Sequence, residues 1–454
     1  MTQDTQQRLS ILVVGSGIGG LTFAIEACRK GHHVRVYERR PNSTSTGEMI
    51  VISKSALRPQ TKWPDFVERL RQVASNAQAI FKRWDGADIA PFILGDSTGE
   101  SLLINRGELH TVLRKFATEQ GVSVEYDTAG EEFFETKDQG GIILKDGRKF
   151  TADLVVASDG IGSKSWKLFA GTNTSPVSSG FVLYRITFPV EEALKSPLVA
   201  ERLGHALDTG FFYAGPDAHF IAGRIRNEAT WMLTCRDHNS DAKESWSKPT
   251  TIDNALDAVK GWDEFVPEMI KTTPQGSVFD WKMMWRDPQP QWVSDGGRVV
   301  QLGDAAHPFL PTSGAGATMA MEDAFSLATC LDLGGVDNVP LATLVHNKLR
   351  FERVSCAQKM GFKNREMLHK TDWEFISQHP EVLSKLFFRN WINNHDPEEY
   401  AMDNYQQCAE HIRTGAPFTN TNHVPGYNYK PWSVRELLEA SAKGQLVEDE
   451  GDWS

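Results

Sequence analysis

The sequence is poor in features that mark several large classes of protein. Its five cysteines in 454 residues are scattered and form no C-x-x-C pair, which disfavours a disulfide framework and a zinc site. No stretch approaches the roughly 18 consecutive apolar residues of a membrane-spanning helix, and the polar first ten residues lack a signal-peptide core. The formal net charge is −11 without a dense basic run, which argues against nucleic-acid binding. We therefore expect a cytoplasmic protein with no transmembrane segment, metal or nucleic-acid partner. We expect a monomer or weak dimer, although none of these features determines the oligomeric state.

What the sequence does contain is an alternation of strand-like and helical segments. An apolar run at 9–14, a helical segment at 20–31 and an alternating segment at 33–39 predict strand, helix and strand. Aromatic, strand-like pieces between 178 and 290, such as "GFVLYRITFPV" and "TWMLTCR", predict an antiparallel sheet. Residues after 340 are mainly helical in pattern, and we expect the terminal "EDEGDWS" to fray. The fold class predicted is α/β.

Three glycines follow the first predicted strand in the segment "GSGIGG". Gly15 permits a tight turn, Gly17 lets the backbone approach a pyrophosphate, and Gly20 allows the helix to pack closely on the strand. Glu38, at the end of the second strand, is placed to accept hydrogen bonds from the adenosine ribose and disfavours a 2′-phosphate. This motif predicts a dinucleotide site and leaves FAD and NAD open.

Two further segments bear on that choice. "ADLVVASDG" puts Asp159 after a buried strand, although an Asp-Gly alone is usually only a turn. "GRVVQLGDAAHPFLPTSGAGATMAMEDA" delivers Asp304 from a strand, followed by small residues that open a helix. A carboxylate and a helix N-terminus suit the ribityl hydroxyls and the pyrimidine side of a flavin. A proline-stiffened connection before a capped helix is the plainer interpretation, but it does not explain Gly-Asp followed by Gly-x-Gly.

In this order and spacing the three motifs resemble the single-component FAD-dependent aromatic hydroxylases, which include salicylate hydroxylase, 6-hydroxynicotinate monooxygenase and fungal natural-product and indole-alkaloid monooxygenases. The resemblance covers roughly residues 9–400. It implies a Rossmann-like FAD-binding domain with a parallel sheet, an interleaved antiparallel sheet that roofs the substrate, and a helical C-terminal region. The expected division is FAD-binding at 1–75, 104–177 and 291–340, substrate domain at 76–103 and 178–290, and helical at 341–454.

The resemblance also implies an activity. The chain would be a monooxygenase with tightly bound, non-covalent FAD and with NADPH or NADH as a transient reductant. It would insert one oxygen atom from O2 into a small phenolic or indole-type aromatic molecule through a flavin C4a-hydroperoxide, in natural-product biosynthesis. A flavin oxidase or dehydrogenase that does not use NAD(P)H is the alternative, although such enzymes are not expected to carry both Asp-Gly and "GDAAHPFLP". An NAD-binding module would leave the aromatic roof unexplained.

Carried over by position, the resemblance gives several residues a role toward the cofactor. Val51, in "GEMIVIS", would contact the flavin through its backbone, and Arg106, in "INRGELH", would lie near the pyrophosphate and ribityl region. Asp159 would serve FAD and the pyridine nucleotide together. Two positions depart from the family. The segment 47–50, "GEMI", stands where Gly-Ala-Gly-Ile is usual, and Trp166 ends the Asp-Gly motif where arginine is usual.

The last set of carried-over residues surrounds the reacting end of the flavin. Asp304 would bind the ribityl chain, and the helix start at Gly316 and Ala317 would face the ring. Arg185, in "LYRITF", and Tyr213, in "GFFYAGP", match an arginine and a tyrosine that activate the substrate or donate a proton in the fungal members. For Arg185 a structural ion pair is the alternative interpretation, and for Tyr213 it is core packing.

Overall fold

The computed structural model describes most of the chain. The described residues are 8–41, 47–75, 78–93, 100–169, 177–204, 208–237, 248–370, 372–379, 382, 389–445 and 449–454. None of the helices in these ranges combines the length and apolar composition that crossing a bilayer requires. Within the same ranges, histidine, cysteine and acidic side chains do not gather in groups of three or more that could hold a metal ion.

A five-stranded parallel sheet forms the centre of the part of the fold that the sequence predicts to bind the cofactor, which we call the cofactor side. Its strands, numbered like all elements here in chain order, are β1 (Ser10–Val14), β2 (His33–Tyr37), β7 (Ser123–Glu125), β11 (Leu154–Ala157) and β18 (Val299–Gln301). They lie in the order β18-β11-β1-β2-β7 and pair in parallel throughout. Because both faces are covered, β1, β11 and β18 are almost wholly buried and apolar. The predicted strand–glycine turn–helix–strand unit and the return of the chain near residue 300 are confirmed.

Helices cover one face of this sheet and a small antiparallel sheet covers the other. The helices are α1 (Ile18–Arg29), α4 (Arg106–Glu119) and α9 (Gly316–Gly334), and the small sheet consists of β8 (Gly130–Glu135), β9 (Gly140–Leu144) and β10 (Lys149–Ala152). Leu21, Phe23 and Ile25 of α1 are buried in the core that α9 shares. On the opposite face, Leu12 of β1 joins a separate core with Ile142 of β9. Because β1, β11 and β18 run parallel between these two layers, the loops that follow them lie at the same edge of the sheet.

An eight-stranded mixed sheet forms the roof, which we call the roof sheet. Its strands are β4 (Gln78–Arg83), β5 (Asp88–Ile93), β12 (Val177–Pro189), β13 (Asp208–Gly215), β14 (Ala218–Ile225), β15 (Glu228–Arg236), β16 (Lys248–Thr251) and β17 (Ser277–Trp285). They lie in the order β16-β17-β12-β15-β14-β13-β4-β5. All pairs are antiparallel except β4 with β13, which is parallel because β4 arrives from a distant part of the chain rather than through a hairpin.

The two faces of the roof sheet have different neighbours. Its outer face packs on the short helices α5 (Val190–Ala193), α6 (Pro197–Leu203), α7 (Asp253–Ala258) and α8 (Phe265–Lys271). Its inner face meets the loop after β18 and a long C-terminal helix, where Leu183 packs with Leu310 and Phe362. Successive side chains along a strand point to opposite faces of the sheet. Whether a roof-sheet residue packs on the outer helices or faces the C-terminal helix therefore depends on its position in this alternation.

The remaining elements connect the two sheets and close the C-terminal side. They are β3 (Met49–Ile52), α2 (Lys54–Leu57), α3 (Phe66–Val73), β6 (Leu102–Asn105), α10 (Val339–Lys370), α11 (Trp373–Gln378), α12 (Asn390–Asn393), α13 (Pro397–Thr414) and α14 (Val434–Ala442). The expectation of a frayed tail is wrong for residues 449–454. Trp453 is only 8% exposed and packs edge-on against Trp391 and Tyr427, so burial of an indole holds the segment in place.

Candidate functional site

The glycine turn after β1 is tightly enclosed at two points and open at a third. Gly15 has φ +102°, and a β-carbon there would lie 2.3 Å from the carbonyl oxygen of Ser158. A β-carbon at Gly20 would lie 2.2 Å from the carbonyl oxygen of Gly15. At Gly17, by contrast, it would meet no described atom within 4 Å beyond its chain neighbours. The turn therefore leaves room above Gly17 and the N-terminus of α1, where backbone N–H groups favour an anion.

Glu38 is held against this turn by three hydrogen bonds. Its Oε2 accepts from the backbone N–H of Ser16 at 2.8 Å and from the Ser16 hydroxyl at 2.9 Å, while its Oε1 accepts from the N–H of Arg40 at 2.8 Å. A cavity of about 590 Å³ opens beside it, lined by Arg39, Arg40, Pro41, Asp127, Thr128, Ala129, Leu144, Lys145 and Asp146. The carboxylate thus lies between the open space above Gly17 and this cavity.

Asp159 follows β11 on the other side of the glycine turn. Burial raises the pKa of its carboxyl to about 6, while the Ser163 hydroxyl and Arg39 act in the opposite direction. Its Oδ1 is buried and has no hydrogen-bond partner among the described residues. A buried, unsatisfied carboxylate oxygen costs free energy, and a ligand hydroxyl or amide at the turn would satisfy it. Together with the open space at Gly17, this fits a dinucleotide.

Asp304 occupies the short 3₁₀ turn Gly303–Ala305 directly after β18. Burial raises the pKa of its carboxyl, and the nearby His307 and Arg106 act in the opposite direction. Arg106 begins α4, and its backbone N–H donates to the carbonyl oxygen of Glu48 at 2.9 Å. The structure thus brings Asp304 and Arg106, which are distant in sequence, to the same part of the fold. The hydroxyls of a ribityl chain could donate hydrogen bonds to the Asp304 carboxylate and accept them from the Arg106 guanidinium.

The helix start predicted to face the ring lies beside β3. Gly316 is the first residue of α9 and Ala317 the second, and no acidic side chain occupies that first turn. The N–H of Ser53, just after β3, donates to the hydroxyl of Thr318 at 3.1 Å. This bond ties the strand of Val51 to the positive end of the α9 dipole, where a reduced, anionic flavin would be stabilised.

A buried charge network that the sequence pattern did not predict supports the Asp304 loop. His307 Nε2 lies 2.5 Å from Asp323 Oδ2, and Asp323 Oδ1 accepts from Arg350 Nε at 2.8 Å. The N–H of Gly303 points to the same Asp323 carboxylate at 3.4 Å. Although burial opposes ionisation, Arg353 and Arg350 lower the pKa of Glu322 to about 2. All these carboxylates and guanidinium groups are nearly inaccessible to water, so the loop is anchored electrostatically to α9 and α10.

A second missed residue, His110, lies one turn after Arg106 on α4. Its Nε2–H donates to the carbonyl oxygen of Ser16 at 2.7 Å, and burial lowers its pKa. Helix α4 therefore bridges the glycine turn and the Asp304 region, because residues four apart share a helix face. In the segment "INRGELH", the spacing of four residues between Arg106 and His110 could have predicted that both side chains lie on one face of this helix.

Arg185 lies on the inner face of the roof sheet and reaches the cofactor side. Its Nη1 forms a short ion pair with Glu48, and its guanidinium lies 5.2 Å from the ring of Trp281. Burial lowers the pKa of Arg185, Glu48 opposes that shift, and Arg106 reinforces it. Arg185 thus joins Asp304, Arg106 and Glu48 in one charged cluster. Glu48 was not predicted, although the unusual "GEMI" marked its segment.

Tyr213 is not brought to that cluster. Backbone pairing links Arg185 to Met232, Met232 to Ile221 and Ile221 to Phe212, so these four share the inner face. Tyr213, the residue after Phe212, consequently points outward. It is fully buried, and its hydroxyl donates to Asp263 Oδ1 at 3.2 Å beneath the outer helices. The predicted part of Tyr213 in the reaction therefore gains no support from its position, and core packing accounts for it.

The tryptophan that replaces the usual arginine of the Asp-Gly motif has a cation beside it. The guanidinium of Arg286, which follows β17, lies 5.6 Å from the Trp166 ring, and its Nη1 donates to the carbonyl oxygen of Ile161 at 3.0 Å. A positive charge is thus present at the motif, contributed by the roof sheet.

Comparison with known proteins gives consistent likenesses. A family described as the FAD binding domain matches residues 8–333. The FAD-dependent monooxygenase dmxR9 of Cryptosporiopsis sp. is 38% identical over 98% of this chain and 90% of its own length. The FAD-dependent monooxygenase fsr3 of Gibberella fujikuroi is 37% identical with the same coverage.

Solved structures agree over nearly the same span. CtdE in complex with FAD and substrate 4 is 30% identical, with a TM-score of 0.83 over 89% of this chain and 100% of that one. FqzB is 29% identical, with a TM-score of 0.82 over 92% and 96%. A salicylate hydroxylase substrate complex is 21% identical with a TM-score of 0.70 over 89% and 98%, a likeness of fold.

Proposed function

We propose, from the premise that this chain belongs to the FAD-binding-domain family and is an FAD-dependent monooxygenase, that it inserts one oxygen atom of O2 into a small aromatic molecule. The electrons would come from NADH or NADPH, and the substrate would be a phenolic or indole-type natural-product precursor. The observation that carries the proposal is the cluster of Asp304, Arg106, Glu48 and Arg185, which joins the cofactor side to a partly exposed face of the roof sheet.

The cofactor side has the groups that FAD needs. Glu38 would accept hydrogen bonds from the adenosine ribose, and the open backbone at Gly17 would receive the pyrophosphate. Asp304 and Arg106 would hold the ribityl chain, and the N-terminus of α9 at Gly316 would face the ring. When bound, FAD supplies the reduction by the nicotinamide and the activation of O2.

The roof-sheet side has the groups that an aromatic substrate needs. Trp281 and Met232 are partly exposed on the inner face, beside Arg185. Apolar and aromatic surface would bind the ring and exclude water, and a guanidinium would orient a polar substituent through charged hydrogen bonds. Exclusion of water matters here because water diverts the activated oxygen to peroxide instead of product.

The test follows the visible flavin spectrum of the purified protein while NADPH or NADH is added without oxygen. We expect bleaching that a phenol or an indole accelerates, and, on admission of oxygen, a product heavier by one oxygen atom. Flavin that an amine or alcohol reduces directly, with both nicotinamides inert, would reassign the protein to the oxidases.

A further inference from the structure

Glu48 places a carboxylate between the cofactor side and the roof sheet, in a segment where the resembled family usually has only small and apolar residues. Its carbonyl oxygen accepts from the N–H of Arg106 at 2.9 Å, which anchors its backbone to the start of α4. Its side chain crosses to Arg185 of β12. The two side chains are 21% and 13% exposed, so the pair is largely removed from water and still reachable.

The surroundings of this ion pair are aromatic and apolar. Trp281 lies beneath the guanidinium of Arg185, Met232 is partly exposed, and Phe279, which pairs with Arg185 across the strands, is 43% exposed. Removing two charges from water costs free energy that their attraction roughly repays, so such a pair adds little net stability. A desolvated ion pair beside an open aromatic face therefore indicates a binding role.

We propose that Glu48 and Arg185 together bind the hydroxyl of a phenolic substrate, with Glu48 as the acceptor of its proton during oxygenation. A guanidinium only donates hydrogen bonds and a carboxylate only accepts them, whereas a phenol hydroxyl does both. It can accept from Arg185 and donate to Glu48 at once. An aryl ether lacks the donor, and an anionic substrate would meet the charge of Glu48. This assignment rests on the proposed function and narrows its substrate to phenols.

The proton transfer accompanies formation of the new bond. As a ring carbon ortho or para to the hydroxyl bonds to the transferred oxygen, the ring loses electron density and its hydroxyl becomes strongly acidic. The O–H bond breaks, its proton passes to Glu48, and its electron pair forms a C=O whose oxygen Arg185 stabilises. The O–O bond of the oxygen donor breaks as the new C–O bond forms, and its second oxygen atom takes up the proton released from the oxygenated carbon and leaves as water. Return of the proton from Glu48 to the carbonyl oxygen then restores an aromatic phenol. O2 and the two electrons of the nicotinamide, both part of the proposed function, complete the balance.

Binding to the oxidised holoenzyme tests the recognition without turnover. Titration calorimetry would use one-, two- and three-ring phenols, each beside its methyl ether, from pH 6 to pH 8. We expect at least one phenol to bind about tenfold or more tighter than its ether, the worth of a hydrogen bond to a charged group. Its affinity should not vary with pH, because the neutral phenol is bound.

The variant Glu48→Gln should replace the pH-independent binding of the neutral phenol with pH-dependent binding of the phenolate. Arg185 then loses the carboxylate of Glu48, and Arg106, which also acts on it, has the same sign. The site would select the phenolate, and affinity would rise with pH by up to about tenfold per unit below the pKa of the phenol. The kcat should fall about 10²-fold or more, as for loss of a general base, with flavin reduction unchanged. Glu119→Gln, which breaks an exposed ion pair with Arg69, is the matched control and should behave as wild type.

Two results would overturn the inference: no phenol preferred over its ether by the wild type, or Glu48→Gln with pH-independent binding and wild-type kcat. Should the single variant lose FAD, Glu48→Gln combined with Arg185→Met removes both charges, and retention of the phenol preference there would equally refute it. Failure of the proposed function looks different, since no compound would then support NAD(P)H-dependent oxygenation while the phenol preference in binding persisted.

Discussion

Alanine at Gly17 and at Gly20 should have opposite consequences, although both glycines belong to the same turn. Gly17 is the N-cap of α1 with φ −66° and ψ −179°, a conformation that alanine adopts freely. Its β-carbon would enter open space. Alanine is a poorer N-cap than glycine by up to about 1 kcal/mol, and the reduced freedom of the unfolded chain offsets about 0.4–1 kcal/mol. We therefore expect Gly17→Ala to leave the free energy of unfolding of the apoprotein nearly unchanged.

The same methyl group stands where a pyrophosphate would approach the backbone. Losing a hydrogen bond between an N–H and a charged phosphate costs about 1.5–3 kcal/mol, so the dissociation constant of FAD should rise about tenfold to a hundredfold. At Gly20 the new β-carbon would lie 2.2 Å from the backbone oxygen of Gly15. Something must shift there, and overpacking of this kind costs about 1–3 kcal/mol of stability before any cofactor is added.

Two measurements separate these effects: urea unfolding of each apoprotein, and titration of each apoprotein with FAD followed by quenching of flavin fluorescence. Each variant serves as the control for the other. Wild-type FAD affinity in Gly17→Ala would refute the placement of the pyrophosphate. A large loss of stability in the Gly17→Ala apoprotein would refute the assertion that the described residues leave the space above Gly17 open.

Three further outcomes follow from the buried groups. Tyr213→Phe should keep the wild-type rate of oxygenation. It should lose about 1 kcal/mol of stability, because the hydrogen bond from the Tyr213 hydroxyl to Asp263 is removed. A fall in kcat with intact flavin reduction would contradict the outward position of Tyr213. Burial raises the pKa of Asp159 to about 6 from its ordinary value of 3.8, so the folded apoprotein binds this proton more tightly than the unfolded chain, and the stability linked to it falls as pH rises from 4 to 6. Asp159→Asn should therefore stabilise the apoprotein at pH 8 but not at pH 3.5, as urea midpoints at both values would reveal. Asp323→Asn removes a buried counter-charge of Arg350 and should lower the free energy of unfolding by about 3–5 kcal/mol. The variant should also retain FAD less well. An unchanged urea midpoint would contradict the role of the charge network.

The fold and the cofactor could be predicted from local sequence because each signal is short. The glycine turn, the apolar strands of the parallel sheet and the Gly-Asp segment are contiguous runs whose pattern survives in isolation. The α/β fold, FAD and monooxygenase predictions are confirmed by the likenesses to known proteins. The roles of the individual site residues stay predictions, although the structure brings Asp304, Arg106 and Arg185 into one cluster.

What could not be predicted depends on pairing between distant segments. Arg185 and Tyr213 were both predicted to take part in the reaction, with core packing as the alternative for Tyr213, and only the register through β15 and β14 puts them on opposite faces. The Asp323–Arg350 pair supports the Asp304 loop through contacts between two helices and that loop, and no sequence periodicity records such a contact. Glu48 illustrates the same limit, because its partner is 137 residues away.

The two departures from the family pattern, Glu48 and Trp166, each lie beside an arginine of the roof sheet or its edge. Glu48 adds a negative charge on the cofactor side, and Arg185 of β12 neutralises it. Trp166 removes the usual positive charge from the Asp-Gly motif, and Arg286, just after β17, lies on its ring. Strands β12 and β17 are neighbours in the roof sheet, so the cations beside Glu48 and Trp166 come from one part of that sheet and its edge. Because an unpartnered charge in a partly dry site is costly, a change on either side constrains the other. The departures therefore lie where the parallel-sheet part of the fold meets the roof sheet.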